Sequence, residues 1–300
     1  MNKLEQQKFK AFVESQEHPI FILVMGISGS GKTELTKQLS KQFGMEIVSF
    51  EDIRHELERN ELFDVGYNEI VEMANGRIRK KLEQDKNVIL ESAGLNSYRR
   101  MQFLKTLKDI DCVKVCVIRL TDFETCLENQ ENKKIETSED VVWKQYENFQ
   151  IVSPTEGWDY ITKIIHNNGP SLEEILEIGR SNFVKVTQHL EIAGQMAIDR
   201  HYPAYLVNAA KYHDIGKFFS KQTDESEGEY PHHENIGAYL YALTSEDSNW
   251  IYVSNLILWH EVASDITSEK RRKLQKRFGQ KFTNDLILLA ALSKETTGEV

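Results

Sequence analysis

The chain has few cysteines, no long apolar run and no surplus of positive charge, and each lack narrows what it can be. Its three cysteines, Cys112, Cys116 and Cys126, make neither a disulfide framework nor a pair of C-x-x-C zinc knuckles. They read as buried, reduced thiols. No run of ~18 apolar residues occurs, which excludes a membrane-spanning helix. The first fifteen residues are charged and mixed, with no signal-peptide layout, so a cytoplasmic location and no membrane partner are expected. A net charge of −10 excludes a protein that coats nucleic acid through bulk charge, although a local basic groove remains open to it. Prolines number five, and neither internal repeats nor low-complexity tracts are present.

What is present is enough chain, 300 residues, for two domains. The first half alternates strand and helix signals. Residues 20–25 are a continuous apolar run of the kind a buried parallel strand needs. Leu35, Leu39 and Phe43 then fall four apart on one helical face, and residues 47–48, 88–90 and 113–120 read as further strands. The pattern predicts an α/β fold, a parallel sheet flanked by helices. Asn167-Asn168-Gly169-Pro170 is a turn-rich break after an apolar stretch at 161–165. Ser171 with Glu174 forms a capping box, and beyond it the chain reads as almost wholly helical. The expected division is therefore 1–168 and 169–300, the second part an all-α bundle.

Gly26-Ile27-Ser28-Gly29-Ser30-Gly31-Lys32-Thr33 is a complete G-x-x-x-x-G-K-[ST] phosphate-binding loop between a strand and a helix. Backbone N–H groups of such a turn cradle phosphate oxygens. Lys32 would reach the β- and γ-phosphates of ATP, and Thr33 would hold Mg²⁺. After the second strand comes Ser49-Phe50-Glu51-Asp52-Ile53-Arg54. An acid at a strand's C-terminal end can take the proton of an attacking hydroxyl, and an arginine can grip phosphate bidentately. Glu51 and Asp52 are both candidates for the base, and Arg54 is the candidate grip.

These residues, with Leu95-Asn96-Ser97-Tyr98-Arg99-Arg100 and Val141-Val142-Trp143-Lys144-Gln145-Tyr146, resemble the 5′-hydroxyl polynucleotide kinase family over roughly residues 20–150. By the family's register the general base falls on Glu51, and by residue type on Asp52. The resemblance implies water-mediated Mg²⁺ binding at Glu91. It also implies a cationic lid over the ATP phosphates, for which Lys133 and Lys134 stand where the family has arginine.

Of nine histidines, six lie between 189 and 260. His189, His213, His233 and His260 fall in or at the ends of helical segments, and His213-Asp214-Ile215-Gly216-Lys217 places an imidazole beside a carboxylate. The pattern resembles the HD phosphohydrolase superfamily over about 171–300. The resemblance implies a helical bundle with a metal core. His189, His213 and Asp214 match its primary ligands, and His233 and His260 the extra ligands of two-metal members. Lys217 would contact substrate phosphate. The superfamily's last ligand is an aspartate. This chain has Leu292-Ser293-Lys294-Glu295-Thr296-Thr297-Gly298 there, so Glu295 is the nearest substitute, ahead of Asp265 and Asp285. Nitrogen and oxygen donors suit Mn²⁺, Zn²⁺, Co²⁺, Ni²⁺ or Fe²⁺, and the implied reaction is metal-assisted attack of water on phosphorus.

Kinase and HD domain together resemble enzymes that heal RNA or DNA ends, phosphorylating a 5′-hydroxyl and removing a 2′,3′-cyclic, 2′- or 3′-phosphate before a separate ligase acts in a bacterial or phage-infected cell. The basic cluster of Lys270, Arg271, Arg272, Lys273, Lys276 and Arg277, and the pair Arg99-Arg100, favour a polynucleotide. The net acidity favours a nucleoside or nucleotide kinase fused to a nucleotide phosphohydrolase. A nucleotide-sensing protein whose HD module only binds is the third reading.

Overall fold

The computed structural model describes residues 3–59, 66–132, 138–167, 169–221 and 229–297. Lys133 and Lys134, expected to form the lid, lie outside the described residues. The chain divides into two compact units. One is Met1–Val142 with Glu156–Asn167, and the other is Trp143–Thr155 with Asn168–Val300. A single cut near residue 168 thus misses one feature, that Trp143–Thr155 belongs with the second unit.

The first unit runs α1 (Lys3–Glu14), β1 (Ile20–Met25), α2 (Lys32–Phe43), β2 (Glu46–Ser49), α3 (Phe50–Arg59), α4 (Tyr67–Leu82), β3 (Val88–Glu91), α5 (Ser97–Thr106), β4 (Val113–Leu120), α6 (Phe123–Asn132) and β5 (Tyr160–Ile165). The sheet order is β2-β3-β1-β4-β5, and every pairing is parallel. Chain order reverses direction at β1, so ligands are expected outside the C-terminal strand ends there. All six residues of β1 are buried, because helices cover both faces. Ile22, Val24, Ile89, Val115 and Val117 share a core with Leu35 and Leu39 of α2, and each such side chain contributes roughly 1.5–3 kcal/mol by leaving water. Helix α1, unmarked in the sequence reading, buries Phe9 and Val13 there, and Phe12 stacks on Tyr160 at 4.3 Å between ring centres.

A buried ion pair locks this unit's last segment. Arg100 on α5 donates to both carboxylate oxygens of Glu156, at 2.8 and 2.6 Å, and to the Gly94 carbonyl at 2.6 Å. Trp158 donates its indole N–H to Glu156 at 3.2 Å. Arg100 is only 4 % exposed, so it is committed to folding rather than displayed to a polyanion.

The second unit takes in most of α7 (Glu139–Glu147) and then α8 (Leu172–Asn182), α9 (Val184–Asp199), α10 (Ala204–Tyr212), α11 (His233–Thr244), α12 (Trp250–Ser264) and α13 (Ser268–Thr297). It is mostly helical. The capping box at Ser171 and Glu174 opens α8 with both reciprocal bonds present. Gly279, at φ 86°, breaks α13 into two helical stretches. Tyr146 and Phe149 set their rings edge-on to Tyr239, at 5.1 and 5.0 Å, while Asn235 and Asn255 donate to the carbonyls of Glu147 and Val152. These contacts are what bind Trp143–Thr155 to this unit. Among the described residues, no helix is long and apolar enough to cross a membrane.

Candidate functional site

The phosphate loop leaves β1 and enters α2, so its N–H groups face the strand ends at a helix N-terminus. Gly29 and Gly31 have φ of 79° and 85°, a left-handed backbone that only glycine adopts without strain. A Cβ on Gly29 would also overlap the Cys126 carbonyl of α6. The loop is tied down from behind. Arg119 and Thr121 donate to the Ser30 carbonyl at 3.0 and 2.8 Å, and Asn129 donates to the Gly29 carbonyl at 2.9 Å. Lys32 folds over the loop to the Ile27 carbonyl at 2.8 Å. Thr33 donates to Glu91 at 2.5 Å, so the hydroxyl and carboxylate expected at Mg²⁺ already touch. Glycine cradle, lysine and Thr33–Glu91 pair fit a magnesium nucleotide. Arg119 was missed in the sequence because a basic residue inside an apolar strand carries no signal of its own; a Cβ on Gly31 would come within 3.3 Å of its guanidinium.

Glu51, Asp52 and Arg54 lie exposed in the first turns of α3. Ser49 accepts from the Asp52 N–H at 3.3 Å, capping the turn. Asp52, with Val48 and Ser49, lines a cleft of about 420 Å³ against Arg77, Lys80 and Lys81 of α4. Glu51 points to His55 instead, at 4.0 Å. The cleft's cations are partly spent: Arg77 binds both oxygens of Glu56 at 2.7 Å, and Lys81 pairs with Glu46. Arg99, beside the buried Arg100, lies 4.1 Å over the Tyr67 ring.

The second unit gathers His189, His213, Asp214, His233 and His260, all buried. His189 comes from mid-α9, His213 and Asp214 follow α10, His233 opens α11 and His260 stands near the end of α12. Three of these imidazoles use Nδ1 in one way. His213, His233 and His260 donate to the carbonyls three residues back, Ala210, Tyr230 and Ile257, at 2.9, 2.7 and 2.6 Å. His189 Nδ1 meets the Thr296 hydroxyl at 2.8 Å, and that hydroxyl itself donates to the Ser293 carbonyl at 3.0 Å. With Nδ1 protonated, each Nε2 presents a lone pair. Those lone pairs converge: His189 and His213 Nε2 are 3.0 Å apart, and His233 and His260 Nε2 3.4 Å.

Asp214 sits among them. Its Oδ2 accepts from Lys217 at 2.6 Å and lies 3.6 Å from His189 and His213. Its Oδ1 faces His233 and His260 at 3.2 and 3.4 Å, yet is buried without a hydrogen bond. A buried carboxylate oxygen with no donor, facing imidazole lone pairs, is costly alone and fits a cation. The charges agree. Burial pushes the Asp214 carboxyl up, but His213, His233 and His260 outweigh it and hold the group well below the ordinary range. Burial pulls His213 down to about 3 and lowers His189. It pulls on His260 and His233 too, but Asp214 and Glu261 overcome it, raising His260 to about 9 and His233 above its usual value.

Two ligand groups result, sharing Asp214: His189, His213 and Asp214, and Asp214, His233, His260 and Glu261. Glu261 was missed in the sequence, although it directly follows His260. The expected Glu295 is not in the cluster. It lies on the surface, paired with Arg200 at 2.5 Å. Ser293 and Thr296 take the α13 positions beside His189. Asp265 ends α12, and Asp285 is bound to Tyr252 and Lys281, so neither replaces it. The basic cluster on α13 is partly committed as well, Lys273 pairing with Glu269 at 2.7 Å and Arg277 lying 4.4 Å over Trp259.

A family model described as an AAA domain matches residues 21–151. No curated protein matches the chain. Similar solved structures include a putative kinase from Chloroflexus aurantiacus, with 12 % identity and a TM-score of 0.38, covering 55 % of this chain and 98 % of that one. An APS kinase from Mycobacterium tuberculosis, solved with AMPPNP and APS, has 14 % identity and a TM-score of 0.37, covering 53 % of this chain and 94 % of its own. A shikimate kinase from Acinetobacter baumannii has 18 % identity and a TM-score of 0.35, covering 57 % and 98 %. The span matched by the family model holds the phosphate loop and four of the five strands around it.

Proposed function

We propose that this chain heals broken nucleic-acid ends, transferring the ATP γ-phosphate to a 5′-hydroxyl and removing a 2′,3′-cyclic, 2′- or 3′-phosphate at a metal-dependent HD-type site. The observation that carries the joint reading is the buried Asp214 oxygen without a donor, facing imidazole nitrogens whose other ring nitrogen is fixed. A phosphate-adding loop on the same chain then calls for a substrate that needs both operations, and a broken strand is one.

In the kinase half, Lys32 neutralises charge on the β- and γ-phosphates and the α2 N-terminus orients them. Asp52 faces the cleft and is the better placed base, with Glu51 the alternative. Arg54 grips the acceptor phosphate. In the helical half, a bound divalent ion supplies Lewis acidity and acidifies water. The protein's own groups fix the imidazole tautomers, exclude bulk water from Asp214, and bring Lys217 beside the site, where it can meet a phosphate oxygen.

A second reading has a specific observation behind it. Arg100 is buried, Arg77 and Lys81 are paired, and the net charge is −10. A nucleoside kinase fused to a nucleotide phosphohydrolase needs no basic groove. Incubation with γ-labelled ATP and either a 5′-hydroxyl oligonucleotide or a nucleoside panel decides between them, with both strand ends analysed. Label confined to mononucleosides defeats the end-healing reading. Lys32→Ala should abolish transfer and spare phosphate removal, and Asp214→Ala should do the reverse.

A further inference from the structure

The two ligand groups around Asp214 are unequal. The His189 side offers two imidazoles and Asp214 Oδ2, but Lys217 already donates to that oxygen at 2.6 Å. Beyond His189, the described part of α13 brings up the hydroxyls of Ser293, at 3.4 Å from Nε2, and Thr296, bound to Nδ1. Neither is an anion. The other side offers His233 and His260 and the unpartnered Oδ1 of Asp214. It also has Glu261, whose Oε1 lies 3.3 Å from His260 Nε2 and 3.5 Å from His233 Nε2. Two carboxylates bind a divalent ion more tightly than one, and an ammonium beside a ligand oxygen opposes binding.

We propose that this chain holds one divalent ion tightly, on Asp214 Oδ1, His233, His260 and Glu261, and that the His189–His213 side is a weak subsite. The carboxylate withheld on α13 is supplied instead by Glu261 at the end of α12. Two nitrogens and two oxygens suit Mn²⁺, Fe²⁺, Co²⁺ or Zn²⁺. Glu261 has a half-exposed side chain, at 52 %, so the tight ion sits on the solvent-facing side of the cluster, where a phosphoester arrives. This inference rests on the metal-dependent reading of the helical unit and deepens it.

The test counts ions rather than turnover. Metal-stripped full-length protein without nucleotide is titrated with Mn²⁺, by calorimetry and by the loss of the free Mn²⁺ paramagnetic signal. A Thr33→Ala background removes the phosphate loop's hydroxyl ligand. One tight ion is expected per chain. Glu261→Gln, at a half-exposed position that folding tolerates, should weaken it at least about tenfold. Glu295→Gln should leave affinity unchanged, and Ser293→Asp should raise the count of tight ions to two. Two equally tight ions in the parent, or a Glu261→Gln affinity equal to the parent's, overturns the assignment while the metal-dependent reading stands. No Mn²⁺ binding at all removes both.

Discussion

The glycine of His213-Asp214-Ile215-Gly216-Lys217 can be tested as an element of packing. Gly216 stands in a short turn of 3-10 helix, Ile215–Phe218, pressed against the start of α11. A Cβ there would overlap the His233 carbonyl oxygen and come within 2.6 Å of Gly237 N, where real Cβ atoms keep at least 3.0 Å. Gly237 in turn lies against Gly216, its own Cβ position 3.3 Å from Gly216 N. Two glycines thus let two backbones meet, and the meeting sets His233 3.2 Å from Asp214. Both obstacles are main chain, so no side-chain rotation relieves Gly216→Ala. Overpacking of this kind costs about 3 kcal/mol, the upper part of the usual range. In a unit of roughly 150 residues that lowers the melting temperature by about 6–12 °C.

Calorimetry of the full chain should show that loss in the transition of the helical unit, with weaker Mn²⁺ binding because His233 is pushed off Asp214. Gly76→Ala is the control. Gly76 is exposed in mid-α4 with nothing within 4 Å of its Cβ position, so alanine should be neutral or stabilise by up to about 1 kcal/mol. A Gly216→Ala protein that melts within about 2 °C of the parent and binds Mn²⁺ as tightly would refute the reasoning.

Arg100→Met should destabilise the first unit by about 3–5 kcal/mol, because it strands Glu156 as a buried charge; the double change Arg100→Met with Glu156→Gln should recover much of that in urea unfolding, and failure to recover would show that the pair is not the source. Arg99→Ala, which removes the contact over Tyr67, should cost no more than about 1 kcal/mol. All three cysteines should resist iodoacetamide at pH 8 in the native protein and react together on unfolding. Burial pushes Cys126 up to about 12 and raises Cys112 and Cys116 above their usual value, so rapid native labelling of Cys126 would contradict its placement under the phosphate loop.

What the sequence disclosed and what it hid divide on a physical line. The phosphate loop was legible because its chemistry is contiguous: glycines, lysine and threonine act within eight residues on one anion. The histidines were legible because four of them fall in or at the ends of helical segments and because one of these adjoins an aspartate. The missing ligand misled because a register was extended along a helix. Ser293 and Thr296 are three apart and share the face toward His189, while Glu295 is turned about 200° from Ser293 and meets Arg200 on the surface. Glu261 is one residue from His260, but only the fold places His233 within reach of both. The same holds for Trp143–Thr155, whose loyalty to the helical unit depends on Tyr239, Asn235 and Asn255, some ninety to a hundred residues away. It holds again for Arg100, which reads as a nucleic-acid contact until Glu156, 56 residues on, is seen to claim it. A basic residue counts toward a groove only when its partner in the fold is known. By that measure Lys80, Arg54 and Arg99 are better candidates to meet a phosphate than Arg100, Arg77 or Lys81.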